Sequence, residues 1–170
     1  LLADGWNPGN AVPVMGDHAA SNCYEPLIKG PKDVEKLKYI LMPPSENEYK
    51  LCEERIQKCR ELSKKYNIPV QGYAGWGLAT AIFLMGAQKA VYFAMDHPEA
   101  FKELADIDHR VNMKKIELCK RAGCDFLKRF GGYEMTNFFN VTIFEEVVLP
   151  LLQQETELAR SLDIPIYYRV

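Results

Sequence analysis

No stretch of this chain approaches the roughly 18 consecutive apolar residues of a membrane-spanning helix, so nothing in it reads as a helical membrane protein. Charge of one sign is also missing. The 21 Lys and Arg stand against 23 Asp and Glu, a net charge of −2. That balance gives no electrostatic argument for nucleic acid or for an anionic membrane surface. The basic pair Lys64–Lys65 reads as a solvated helix face. Metal-type cysteine spacings are absent: there is no CxxC and no CxH. The five cysteines are odd in number, and the chain is too long to need a disulfide scaffold. Reduced thiols and a cytoplasmic location are therefore expected. Cys52 and Cys59, seven apart on one helical face, read as small core residues. Hairpin turn signals between strands are missing as well, which removes most all-β architectures.

The 170 residues are 48% hydrophobic, enough for one domain with a real core. The first thirty residues are rich in Gly, Pro and Asn and read as loops around one short strand, Val12–Met15. "GPKDVEKLKYILMPP" reads as a short helix stopped by Pro43-Pro44. Ser45-x-x-Glu48 is a capping box opening a long helix with an apolar face of Cys52, Ile56, Cys59, Leu62 and Tyr66. "IPVQGY" has the length and branching of a buried strand. A helix from Leu78 to Met95 follows, then a second helix start at Asp96-His97-Pro98-Glu99. That helix buries Phe101, Leu104, Val111 and Leu118 and ends at Gly123. "CDFLKRF" is a strand and "GGYEMTNFFN" a loop. Thr142-x-x-Glu145 is a third capping box, Pro150 should kink the helix it opens, and "DIPIYYRV" is the last strand. Long helical crossovers between strands imply parallel βα units and an α/β fold. The chain starts on Leu1 and closes on the apolar "IPIYYRV", so it reads as part of something longer.

"GYAGWGLAT" is the stretch that bears most on function. It offers G-x-G-x-x-T where a dinucleotide loop needs a third Gly or Ala. The Trp76 indole stands where phosphate must approach backbone, and the ribose-binding acid is missing, so nucleotide binding is not expected. In a parallel α/β barrel the site lies at the carboxyl ends of the strands. There Gly75 and Gly77 make room, and Trp76, Tyr133, Phe138 and Phe139 line an apolar pocket with Asn137 beside it. The helix opening near Leu78 turns free N–H groups toward an anion. Arg129 ends a strand and suits a carboxylate or phosphate. Glu134 just beyond it suits acid–base work if an apolar wall of Phe138 and Phe139 raises its pKa. Lys128 alternates with Arg129, so only one of the two faces the barrel axis. Asp17 and His18, after the first strand, are a possible acid–base or metal pair. His97 reads as a cap and His109 as part of a solvated helix face.

These segments, taken in order, resemble the uroporphyrinogen decarboxylase superfamily. "YAGWGLATAIFLMG" is similar to its glycine-rich segment, "EPLIKGPKDVEKLK" to the helix before it and "MDHPEAFKELADI" to its Pro-Glu helix. "AGCDFLKRF" and "FEEVVLPLLQQETELARSLDIPIYYRV" are similar to the following strand, helix and strand. The resemblance covers about residues 25 to 170 and implies the middle portion of a (β/α)8 TIM barrel acting on an anionic small molecule, a tetrapyrrole or a corrinoid. It implies a methyltransferase or a decarboxylase. The decarboxylases carry a Tyr that aligns near Ile82 here, so methyl transfer is slightly preferred. Decarboxylation of uroporphyrinogen and a non-catalytic scaffold barrel are the alternatives. No cofactor is evident; zinc or a corrinoid would need ligands beyond this chain. The partner would be a corrinoid protein, the remaining half of the barrel or a second copy. By itself, half a barrel would expose strand edges and be unstable as a monomer.

Overall fold

The computed structural model describes residues 14–15, 21–22 and 26–169. Two short strands, β1 (Val14–Met15) and β2 (Ser21–Asn22), pair antiparallel. This local pairing was not anticipated, because no tight-turn signal such as Asn-Gly separates the two. Asp17 and His18 lie outside the described residues.

Helix α1 (Pro31–Val34) begins with Pro in its first turn, and Asp33 Oδ2 accepts from the Gly30 and Lys29 N–H groups at 3.2 and 3.0 Å. It continues as a 3-10 stretch, Glu35–Tyr39. Helix α2 (Glu46–Tyr66) is capped as its sequence dictates: Ser45 Oγ accepts from Glu48 N–H, and Glu48 accepts from Ser45 N–H at 2.7 Å. Its packing face differs from the expected one. Cys52, Ile56 and Arg60 are half-buried, whereas Cys59, Leu62 and Tyr66 are exposed. On that half-buried side Arg60 pairs with Asp125 at 2.7 Å.

Three parallel strands follow in sequential order: β3 (Gln71–Gly75), β4 (Phe126–Phe130) and β5 (Ile166–Arg169). Between β3 and β4 run α3 (Ala79–Met85), α4 (Ala87–Asp96) and α5 (Pro98–Ala122). The expected single helix from Leu78 is broken at Gly86, whose φ of 85° and ψ of 153° no helix accepts. Asp96 ends α4 instead of capping α5, and His97 occupies the cap position without a side-chain bond, its ring packed on Phe93. Between β4 and β5, Asn140 caps α6 (Val141–Ile143), its Oδ1 accepting from Ile143 N–H at 2.9 Å. This displaces the expected Thr142–Glu145 box. A π-helical turn, Phe144–Val148, leads into α7 (Leu149–Ser161). The helical run is unbroken from Val141 to Ser161, and Pro150 lies inside it just past the π-helical turn, so the distortion expected of a Pro in a helix interior appears directly ahead of it.

The helices cover one face of the sheet. Leu127, Ala74, Ile116, Cys119, Ala159 and Ile164 are buried between β3–β5, α5 and α7. A second core beneath α3, α4 and α5 is built on Phe101, Leu104, Ile107, Met85 and Leu37, each about 2% exposed or less. Full burial of one such side chain contributes about 1.5–3 kcal/mol. The anticipated core positions of α5 are all buried. The architecture is α/β with a parallel sheet. Among the described residues no helix is long and apolar enough to cross a membrane.

Candidate functional site

Strand alternation sends Leu127 and Arg129 of β4 toward the helices and Phe126, Lys128 and Phe130 to the opposite face. The expected catalytic pair is therefore held inside the helix layer. Arg129 is 3% exposed and Glu134 5%. Arg129 Nε donates to Glu155 Oε2 at 3.0 Å, and its Nη1 to Glu134 Oε2 at 2.9 Å and to the Phe130 carbonyl. Glu134 also accepts from Leu78 N–H and from Tyr168 Oη, both at 2.8 Å. Glu155 meets His109 Nδ1 at 3.2 Å, and Gln154 Oε1 lies 3.2 Å from His109 Nε2. His109 is thus a buried partner of α7 and not part of a solvated face. The neighbouring Asp106 and Asp108 suggested a solvated face, but Asp108 is itself buried. The N–H group expected to attract an external anion is taken by Glu134.

The glycines of the β3–α3 turn serve this network. Gly77 has a φ of 53°, and a Cβ there would run into Glu134 Oε1 and Arg129 Nη1; one at Gly75 would run into the Asn112 amide. Thr80, the residue that spoils a dinucleotide fingerprint, donates to Asp108 Oδ1 at 2.9 Å, and Asn112 Nδ2 donates to Asp108 Oδ2 at 2.9 Å. The cavity at the centre is lined by Gly77, Asp108, Asn112, Arg129, Glu134 and Glu155 and measures about 10 Å³. That is room for at most one water, not a substrate.

Burial pushes the Glu134 carboxyl up against the pull of Arg129. For Glu155 burial also raises, but His109 and the Arg129 charge outweigh it and hold the group below the usual carboxylate range. Burial pushes Asp108 up. A raised folded-state pKa gives stability that is present below the unfolded value and lost as pH rises through the folded one. Asp108→Asn removes that charge and can donate to Asn112 Oδ1, which has no partner among the described residues. The variant is expected to gain stability over the wild type as pH rises from 4 to 8. Urea unfolding across that range checks it; a gain that shrinks with pH counts against a desolvated Asp108.

The other face of the sheet carries no helix among the described residues. Register aligns Tyr73 with Lys128 and Tyr167, and Phe130 with Arg169. A chain of rings crosses the strand ends. Tyr73, Phe83 and Phe130 each lie 5.2–5.4 Å from Trp76, Tyr133 is 6.2 Å from Phe130, and Phe138 is 5.1 Å from Tyr133. Trp76, Tyr133 and Phe138 are thus linked through Phe130 in one chain of rings. Phe139 instead packs on Phe101 in the core, and Asn137 is exposed. Lys128 Nζ stands 5.9 Å over the Phe130 ring. Burial pushes the Tyr73 phenol up to about 12, with Arg129 and Arg169 pulling it down. Its hydroxyl is buried without a partner among the described residues.

Sequence reasoning missed Tyr73 and Arg169 and left Lys128 only as the alternative to Arg129. The alternation of β4 had narrowed the choice to Lys128 or Arg129, and only the helix packing decides it. Among the described residues no group of three or more His, Cys, Asp or Glu is placed to hold a metal ion. No family model matches the chain, and no curated protein matches it.

Proposed function

We propose that this chain is the middle portion of a (β/α)8 barrel of the uroporphyrinogen decarboxylase superfamily, and that its open sheet face binds a flat, anionic small molecule of the tetrapyrrole or corrinoid type. The observation that carries this reading is the row of rings Tyr73, Trp76, Phe130, Tyr133 and Phe138 set beside the cations Lys128 and Arg169. Ring faces stack on a planar conjugated ligand. Lys128 and Arg169 neutralise its carboxylates through charge-assisted hydrogen bonds, and the unpartnered Tyr73 hydroxyl supplies one further polar contact. Arg129 and Glu134 act behind the face, as positioning residues that fix the β3–α3 turn carrying Trp76. Methyl transfer is preferred to decarboxylation, supported by Ile82, which stands where the decarboxylases carry a Tyr and is itself buried in the core.

The test uses the full-length protein. Uroporphyrin and cobalamin are titrated separately, and binding is followed by visible absorption and Trp quenching. Lys128→Ala and Arg169→Ala should each weaken uroporphyrin binding about tenfold, the worth of one charge-assisted contact. Methyl transfer from methylcobalamin to a thiol supports the preferred reaction, and carbon dioxide release from uroporphyrinogen the other. Absence of binding to either probe removes the reading.

A further inference from the structure

Helix α5 ends in a Schellman turn. Gly123 adopts φ 87°, its N–H donates to the Lys120 carbonyl at 3.0 Å, and the Cys124 N–H donates back to the Cys119 carbonyl at 2.9 Å. The two residues that this motif brings side to side ordinarily make an apolar contact. Here both are cysteines. The 2.9 Å backbone bond holds their Cα atoms within the roughly 4.4–6.8 Å that a disulfide spans. Both belong to the same buried cluster, at 7% and 6% exposure. Cys119 Sγ lies against Gly72, where a Cβ would come within 2.8 Å of it, and 3.9 Å from the Tyr73 carbonyl. The glycine of β3 thus leaves space for the sulfur directly beneath the open face.

We propose that Cys119 and Cys124 form an oxidative modification site, a dithiol that closes to an intrachain disulfide with a small-molecule disulfide as oxidant. Contact with the Cys124 thiol, opposed by burial, brings the Cys119 thiol down to about 7. The same contact pushes Cys124 up. Cys119 is accordingly the attacking thiolate and Cys124 keeps its proton. The Cys119 sulfur attacks one sulfur of the oxidant, forming a mixed disulfide and expelling the first thiolate. Cys124 then loses its proton and attacks the Cys119 sulfur, expelling the second. Two electrons pass from the protein pair to the oxidant, and the two thiol protons end on its two thiols. Entry requires the end of α5 to open, so the reaction is slow relative to that of the exposed Cys59.

The sequence makes the product easy to read. Trypsin cuts after Lys115, Lys120, Arg121 and Lys128, leaving the two cysteines on separate peptides, "IELCK" and "AGCDFLK". The full-length protein is equilibrated natively with oxidised and reduced glutathione, quenched by alkylation and digested without reductant. The expected result is a linked pair of these peptides, lighter by about 2 Da than their sum for the two hydrogens lost. The pair should vanish in Cys119→Ser and in Cys124→Ser and persist in Cys52→Ser with Cys59→Ser. Cys52, on α2, is the neighbouring thiol to exclude. Linkage of Cys52 to either cysteine, linkage only after urea denaturation, or two freely alkylated peptides at every glutathione ratio would overturn the proposal.

Discussion

Arg129→Met in the full-length protein is expected to cost about 3–5 kcal/mol at neutral pH, because it removes the cation shared by two buried carboxylates. The guanidinium is the shared partner of Glu134 and Glu155, whose side chains are each 1% exposed. The methionine fills the volume, so the loss is electrostatic and not a cavity effect. The pH dependence identifies it. Without Arg129, burial raises the folded-state carboxyl pKa of Glu134 further above its unfolded value and pushes that of Glu155 upward against His109, its remaining partner. For Glu134, stability is then present below the unfolded pKa of about 4.3 and lost as pH rises through the folded one. The deficit should be largest at pH 7 and shrink toward pH 4, as urea midpoints would report. A deficit constant from pH 4 to 7 would assign the loss to packing. Adding Glu134→Gln and Glu155→Gln should recover part of the stability, since a network replaced by neutral groups costs less than one broken on one side.

Gly77→Ala is the second large effect, about 2–4 kcal/mol, from left-handed backbone and steric overlap together. The overlap is with Glu134 and Arg129, which cannot move without breaking their bonds to Leu78, Tyr168 and Glu155. Gly123→Ala is the control. Its φ is 87°, but an added Cβ meets only the Arg60 side chain, at 3.6 Å. It should cost about 1 kcal/mol, the backbone part alone. Equal losses at the two positions would show that the network yields to the methyl group. Because the β3–α3 turn carries Trp76, Gly77→Ala should also alter Trp fluorescence, whereas Gly123→Ala should not.

Much of the local structure was legible in the chain. Ser45 with Glu48, Pro98 and Gly123 mark helix ends through bonds or dihedrals that involve only neighbouring residues. Phe101, Leu104, Val111 and Leu118 recur at helical spacing and are buried. Where two local signals compete, the sequence is ambiguous. Asn140 outbids Thr142 for a cap, and Gly86 breaks a helix that apolar spacing would continue. The half-buried face of α2 was also out of reach: its Arg60 pairs with Asp125, 65 positions away, and such pairing leaves no local pattern.

By itself the sequence determined that β4 sends Lys128 and Arg129 to opposite sides, because successive side chains alternate in any strand. It also determined that the β3–α3 turn is built of small residues and a Trp. Only the tertiary structure decided which side is which. α5 and α7 pack on the Leu127 side, so Arg129 meets Glu155 in the helix layer and Lys128 joins Tyr73 and Arg169 on the open face. His109 passed for a surface residue for the same reason: its partners stand on α7, 45 and 46 positions away, and pairing at that distance leaves no local pattern.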